Sequence, residues 1–500
     1  PVCYRPAMAR FPIRTSSSQA PAPFLVATPE EAQARGGLPK PGAPLGPGHG
    51  VDVVFVTGDA YVDHPSFANA VVGRVLESKG YRVAILAQPD WHSAEPFRVF
   101  GRPRLAWLVS AGNLDSMLNH YTAAKRPRSD DQYSPGSQAG RRPDYATVVY
   151  AQRCREAFRD VPVIAGGVEV SMRRLAHYDF WQDKVRRSLV VDARADLVVY
   201  GMGEKPLLEV VRRLAAGEPI RSIRDVAGTA YALGQKERPP FVSPDLPPDA
   251  DWTAHLPTTA IALPSYETLC GDDSESRAAF ASAQHIFHRE HNPQRAAVLV
   301  QRHGTWTVVV NPPQTGLTTP ELDWVFGLPY TKLPHPMYAG QAIPAYDMVK
   351  FSINVMRGCF GGCTFCAITE HQGKAIQSRS PESVLDEVAR LRTVPGYTGV
   401  ISDLGGPTAN MYQMTCSDPA VEAKCRRPSC VHPTVCKLLD TNHAPVKSLM
   451  KSVREAPGVK KVLVASGVRM DLANLDQGYI DELARHHVGG HLKVAPEHVD

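Results

Sequence analysis

Three cysteines stand within eight residues in "RGCFGGCTFC": Cys359, Cys363 and Cys366, spaced C-x3-C-x2-C with glycines between them. The chain has ten cysteines; Cys3, Cys154 and Cys270 are isolated, and the other seven fall between Cys359 and Cys436. Thiolates are soft ligands that select zinc or iron–sulfur clusters. Structural zinc closes its shell with four ligands, and only three lie on this loop. A cubane [4Fe–4S] cluster takes one thiolate per iron, so three cysteines hold three corners and leave the fourth iron open. An open coordination position is where a metal does chemistry. Gly358, Gly361 and Gly362 let the loop wrap closely and leave N–H groups free to bond the sulfurs. A zinc or iron–sulfur scaffold without catalytic activity is the rival reading.

A second group follows: Cys416, Cys425, Cys430 and Cys436, with intervals of eight, four and five residues, and His432 and His443 nearby. Four cysteines at that density suit a second metal site, either an auxiliary Fe–S cluster or structural zinc. Unligated buried thiols are the alternative, because the spacing is irregular. His371, in "TEHQG" beside the first loop, is a candidate proton donor; a local hydrogen bond is the commoner role for such a histidine.

The elements that must position these residues read as two α/β units. "VDVVFVTGDAY" is a buried strand, "PSFANAVVGRVLESKGYRV" a helix stopped by Gly80, and "RVAILAQ" a second strand, together a βαβ unit. "RLAWLVS", "VPVIAGG" and "ADLVVYG" continue the rhythm. Residues 51–235 therefore predict an open, doubly wound parallel sheet, whose ligands bind beyond the strand C-terminal ends. The turns Gly166-Gly167 and Gly201-Met202-Gly203 stand at those ends, where backbone approaches a ligand or a neighbouring loop. Residues 236–345 read as a connector with a helix and a hairpin turning at His303-Gly304. From 346 a second βα pattern begins. "DMVKFSINVM" is a strand leading into the cysteine loop, "SPESVLDEVARLRTV" a helix with Ser380 as N-cap, "TGVISDLGG" and "KKVLVASGVRMD" further strands, and "GGHLKVAPEH" a fourth. Four βα steps are too few to close a barrel, so the natural protein is expected to continue beyond Asp500. It starts at Pro1, and residues 1–50 read as a disordered Pro/Gly-rich tail whose first part carries arginines and no acid.

Net charge is +5, from 55 basic and 50 acidic residues, which is compatible with a polyanionic partner without demanding one. No run of about 18 apolar residues exists, so no membrane span is expected. A chain of 500 residues with clustered thiols is not a small secreted disulfide scaffold. A reducing compartment, the cytoplasm, fits better.

The run "RGCFGGCTFCAITEHQGKAIQSRS", with "GGPTANMY" and "CSDPAVEAKCRRPSCVHPTVC" after it, resembles the YgiQ-type family of the radical S-adenosylmethionine (SAM) superfamily. The resemblance covers residues from about 51 to 500. It implies a radical SAM partial (β/α) barrel over 346–500, with a Cys-rich insertion at 407–445, behind a cobalamin-binding-like sheet. It implies that Cys359, Cys363 and Cys366 hold a [4Fe–4S] cluster whose open iron takes the amino and carboxylate groups of SAM. Reductive cleavage of SAM would then start radical chemistry on an unidentified substrate: RNA, peptide or small molecule. Phe365 would lie against the adenine, and Gly405 and Gly406 would meet the SAM amino group. Pro407 stands where the superfamily often has an acid. Ser466 and Arg469, ending the third strand, are further candidates to reach SAM. A reduced electron carrier of flavodoxin or ferredoxin type is implied. Corrinoid binders of one type carry D-x-H-x-x-G; here Asp63 and His64 are adjacent and followed by Pro-Ser-Phe. Cobalamin is therefore not expected, and a corrinoid-dependent methylase is the narrower alternative.

Overall fold

The computed structural model describes residues 23–35, 50–243, 246–247 and 251–494. One nine-stranded sheet dominates the first 310 residues. Its order is Val83–Ala87, Val53–Thr57, Ala106–Ser110, Val163–Gly166, Leu197–Val199, Thr229–Leu233, Trp306–Val310, Val298–His303 and Ala260–Ala262. The first five strands are parallel. The next three joins are antiparallel and the last is parallel.

Both faces of the parallel part are buried, as helices on either side require. Val54, Val56, Trp107, Val109, Val163 and Ala165 feed one core. Their neighbours Val53, Phe55, Leu108, Ile164, Leu197 and Val199 feed the other. That alternation is the two-residue period of a strand, hidden in the sequence because every position is apolar.

Two expectations need correction. The hairpin at 298–310, assigned to a connector, pairs with Thr229–Leu233 and extends the main sheet. The tail assigned to residues 1–50 is ordered over 23–35: Leu25 is buried, Val26 bridges to Ala84, and Pro29–Ala34 is a helix. A capping box between Thr28 and Glu31, with proline at N1, starts that helix. Residues 1–22 and 36–49 lie outside the described residues.

The second unit is built from short parallel strands. Ser352–Asn354 pairs with Asp403–Gly405, and Val400–Ile401 pairs with Lys461–Val462, so the middle segment is flanked on both sides. Helices Pro381–Leu391 and Ala444–Arg454 cross between them. Val384, Val388 and Leu391 on one, and Val446, Leu449, Met450 and Val453 on the other, line a single core. The expected strand from 347 is helical over Pro344–Val349 and extended only from Ser352, because Pro344 starts a helix at its preferred first turn. Of the fourth expected strand, a parallel bridge from Val468 to Val494 is described; residues 495–500 lie outside the described residues.

The two units are locked by buried ion pairs. Glu204 and Arg357 pair at 2.5 Å. Lys332 and Arg379 both pair with Glu387 at 2.5 Å. Burial alone would raise the Glu387 carboxyl, but the two cations hold it at about 2.

Candidate metal centre

Strand Ser352–Asn354 ends at Met356-Arg357, which pair back onto Gln377-Ser378. Residues 358–376 are thus a closed excursion from the end of a parallel strand. The Cys359 N–H donates to the Gly373 carbonyl, the Cys366 N–H to the Cys363 carbonyl, and the Thr369 hydroxyl to the Cys359 carbonyl. Cys359 is buried, and Cys363 and Cys366 are half-buried. Burial pushes the Cys359 thiol up, and the nearby Cys366 adds to the shift.

Gly361 is the floor of the loop. A Cβ there would sit 3.3 Å from Cys359 Sγ, 3.5 Å from Cys363 Sγ and 2.7 Å from Arg469 Nη1. The Gly361 N–H points at Cys359 Sγ at 3.4 Å, and Arg469 Nη1 donates to Cys363 Sγ at 3.6 Å. Asp471 pairs with the same guanidinium at 2.6 Å. Hydrogen bonds and positive charge directed at the sulfurs are what a thiolate-held anionic cluster requires around it. Among the described residues, no three thiol, imidazole or carboxylate groups converge closely enough to hold one ion between them. A cubane does not ask for that convergence, because its three thiolates each take a different iron.

The neighbouring strand end brings Gly405, Gly406 and Ser466 to the same place. A Cβ on Gly405 would meet Ser466 Oγ at 2.5 Å, and one on Gly406 would meet Met356 Cγ at 2.8 Å. Ser466 is held by Asp403: one carboxylate oxygen accepts the Ala465 and Ser466 N–H groups and the other accepts the Ser466 hydroxyl. Arg469, expected as a contact to SAM, reaches Cys363 and Asp471. Its backbone is clamped by Asn410, which accepts from the Arg469 N–H and donates to the Arg469 carbonyl. Phe365 is 76% exposed, an aromatic face on the rim of the loop. Asp403, Asn410 and Thr408 (its hydroxyl 3.8 Å from Cys359 Sγ) were missed in the sequence. An acid two residues before Gly405-Gly406 was the available signal.

His371 is packed against the first unit. Its Nδ1 lies 2.9 Å from Ser171 Oγ, which also accepts the Gly201 N–H. Burial lowers its pKa to about 4, so the ring is neutral at pH 7. That is the local hydrogen-bonding role, and the Gly201 turn meets this neighbouring loop.

The second cysteine group gathers beside the first. Lys374 Nζ lies 3.6 Å from Cys425 Sγ and bonds the Arg427 carbonyl at 2.6 Å. Burial raises the Cys430 thiol; Lys374 opposes the shift, and Cys425 and Cys436 add to it. The Cys436 N–H donates to the Cys430 carbonyl. The Cys416 thiol lies 3.5 Å from the Asp418 carbonyl. His432 is exposed, and His443 is buried under the Tyr479 ring.

The crevice of the first sheet lies where the chain leaves Val53–Thr57 first to one side and then to the other, the usual ligand position in such sheets. It is filled. Arg142, fully buried, pairs with Asp59 at 2.9 Å and Asp131 at 2.8 Å and donates to the Ala111 carbonyl at 3.0 Å. His64, 1% exposed, accepts the Ser66 N–H through Nδ1.

A doubly wound sheet bonded to parallel βα steps, with three thiols on the loop after the first strand, is the arrangement that the radical SAM resemblance implies. The description "Radical SAM N-terminal" matches residues 46–352, and "Radical SAM superfamily" matches 353–497. The chain is 53% identical over 483 residues to a UPF0313 protein of Bradyrhizobium diazoefficiens, covering 96% of this chain and 70% of that one. It is 49% identical over 518 residues to UPF0313 protein YgiQ of Escherichia coli (strain K12), covering 96% and 68%. The chain belongs to the radical SAM superfamily, whose members bind a [4Fe–4S] cluster and SAM, and within it to the UPF0313 (YgiQ) family. Among solved structures it is similar to the radical SAM methyltransferase TsrM from Kitasatospora setae, with cobalamin and a [4Fe–4S] cluster bound. That likeness has a TM-score of 0.41 and 14% identity, over 87% of this chain and 57% of that one. Among the described residues no helix is long and apolar enough to cross a membrane.

Proposed function

We propose that the chain is an enzyme that cleaves SAM reductively at a cluster held by Cys359, Cys363 and Cys366, and so starts radical chemistry on a substrate that the family names do not give. The observation that carries this reading is the pair of sulfurs over Gly361, with a backbone N–H and the Arg469 guanidinium aimed at them. When bound, the cluster and SAM supply one-electron cleavage of a carbon–sulfur bond. The chain's own residues do the rest. Cys359, Cys363 and Cys366 are three ligands and leave one corner open. Gly361 gives the sulfurs room. Gly405 and Gly406 expose backbone where a side chain would block approach. Asp403 fixes Ser466 against Gly405. Phe365 offers its face to the adenine. The electron comes from a reduced carrier of the flavodoxin or ferredoxin type.

The reading does without cobalamin. A buried Arg142–Asp59–Asp131 ion cluster at the crevice and the enclosure of His64 support a reading without a histidine-ligated corrinoid. Seven of the ten cysteines, clustered between Cys359 and Cys436, suit metal-bound thiolates in a reducing compartment such as the cytoplasm.

The test is anaerobic reconstitution with iron and sulfide, then incubation with SAM and a reductant. The native chain is expected to yield 5′-deoxyadenosine and methionine, and the Cys359/Cys363/Cys366→Ala variant neither. A protein that binds only zinc and yields no 5′-deoxyadenosine would overturn the reading.

A further inference from the structure

Two hairpins of the first unit meet at their tips. In one, the Arg128 N–H donates to the His120 carbonyl at 2.7 Å and the Thr122 N–H to the Arg126 carbonyl at 2.9 Å. In the other, His177–Asp179 pairs antiparallel with Lys184–Arg186. The Tyr121 and Trp181 ring centroids lie 5.5 Å apart. Lys125 Nζ sits 4.7 Å over the Phe180 ring and 3.5 Å from the Trp181 carbonyl oxygen. Tyr178 is 49% exposed and Phe180 46%. Leu118, 56% exposed, adds to the patch, and its carbonyl accepts from Arg128 Nε at 3.2 Å. Apolar residues exposed singly are ordinary, but rings gathered in one place and left open mark a contact surface.

The charge around these rings is basic. Residues 120–130 and 177–187 carry six cations and three acids, an excess of three in a chain whose whole net charge is +5. Lys125, Arg126, Arg128 and Lys184 are exposed and, among the described residues, pair with no acid. The acids alongside are engaged: Asp183 accepts the Tyr178 hydroxyl, Asp130 the Gln132 amide, and Asp144 binds His120 and Tyr121. Asp192 pairs with Arg186 at 3.1 Å and Arg187 at 2.9 Å, and Asp179 with Arg186 at 3.6 Å. Beside the second hairpin opens a cavity of about 450 Å³, where Gln182, Lys184, Arg186 and Arg187 meet Gln152 and Tyr266. That volume suits a nucleotide-sized group, and guanidinium groups bond phosphate oxygens.

We propose that the two hairpins bind a single-stranded nucleic acid, its bases stacked on Phe180 and Tyr178 and its phosphates on Lys125, Arg126, Arg128 and Lys184. Open aromatic faces set among cations are the platform that single strands use. A duplex hides its base faces, and an acidic peptide would use the cations and leave the rings uncovered. The surface is tied at its base to the cysteine loop. Strand Val163–Gly166 feeds helix Val168–Met172, where Ser171 Oγ lies 2.9 Å from His371 Nδ1. Arg174, three residues before the second hairpin, lies 3.9 Å from Glu370, four residues after Cys366.

Binding is read without SAM, so this inference and the radical SAM reading fail separately. The reconstituted chain is titrated into fluorescein-labelled single-stranded RNA of about 12 nucleotides, into the same sequence as DNA, and into the RNA duplex, with fluorescence anisotropy as the readout. A single strand is expected to bind about tenfold tighter than the duplex, and the RNA and DNA arms show which strand is preferred. Phe180→Ala should weaken single-strand binding about tenfold and leave duplex binding unchanged. Arg126→Gln/Lys184→Gln should lower the slope of log affinity against log salt by about 1.4, two phosphate contacts at ~0.7 each. These side chains are exposed, and circular dichroism of each variant checks that the fold is kept. A duplex bound as tightly as the single strands, or a Phe180→Ala variant that binds them as the native chain does, reduces the surface to general charge and overturns the proposal. So does polyglutamate that displaces the labelled RNA as well as unlabelled RNA does. So does a native chain that binds neither strand at ~50 mM salt, where phosphate contacts are strong.

Discussion

Glu204 and Arg357 test whether the first sheet holds the cysteine loop in place. Arg357 lies two residues before Cys359, and Glu204 opens the helix Glu204–Ala215 of the sheet unit. They pair at 2.5 Å with side chains 4% and 5% exposed. The Arg357 guanidinium also stacks over Phe326 at 5.3 Å, which no carboxylate replaces. Glu204→Gln therefore leaves a buried cation without its anion, a change that costs ~3–5 kcal/mol. At the lower figure, a cooperative unit of 150–250 residues would melt roughly 6–12 °C earlier. The double variant Glu204→Gln/Arg357→Met removes both charges and should recover more than half of the loss, because no unpaired charge remains. The assay is anaerobic thermal melting followed by circular dichroism, with iron retention measured alongside. Glu204→Gln is expected to shed iron at lower temperature than the native chain. A melting point unchanged within 2 °C, or a double variant as unstable as the sum of its parts, would refute the coupling.

Gly361→Ala pushes a methyl group against two sulfurs and Arg469, so reconstituted iron should fall at least to half while circular dichroism is unchanged. Gly405→Ala drives a methyl group at Ser466 Oγ, and equilibrium binding should show SAM affinity weakened about tenfold, ~1.4 kcal/mol, with iron content intact. Arg469→Gln removes the cation donating to Cys363 Sγ, and a redox titration should find the first cluster harder to reduce. Acid should destabilise the chain through two groups. His371, held near 4 by burial, binds its proton in the unfolded chain first, so stability falls as pH drops from about 6.5 to about 4. Glu387, held near 2, contributes stability above about 4.5 that is lost as pH falls towards 2. His371→Gln should flatten part of the first segment and Glu387→Gln the second, read as melting temperature against pH.

The grouping of Cys359, Cys363 and Cys366 was legible because spacing along one loop is local. So were the strands Val53–Thr57, Val83–Ala87 and Ala106–Ser110, each an apolar run ended by a turn. The hairpin at 298–310 was legible as a hairpin, but its partner Thr229–Leu233 is some seventy residues away, and pattern alone does not name a partner. Thr28, Pro29 and Glu31 carried a helix-start signal that the proline-rich surroundings masked. Arg142 with Asp59, 83 residues apart, and Arg357 with Glu204, 153 apart, were beyond reach: buried pairs are set by tertiary packing, and each residue alone reads as surface charge. Lys374 among the second thiols was hidden for the same reason.

The most direct measurement is the electron paramagnetic resonance spectrum of anaerobically reduced Cys425/Cys430/Cys436→Ala protein, recorded with and without SAM. With only Cys359, Cys363 and Cys366 left to bind a cluster, the signal should shift in g-values when SAM occupies the open iron. A reduced cluster whose spectrum is the same with SAM at saturating concentration would contradict an open corner reserved for it.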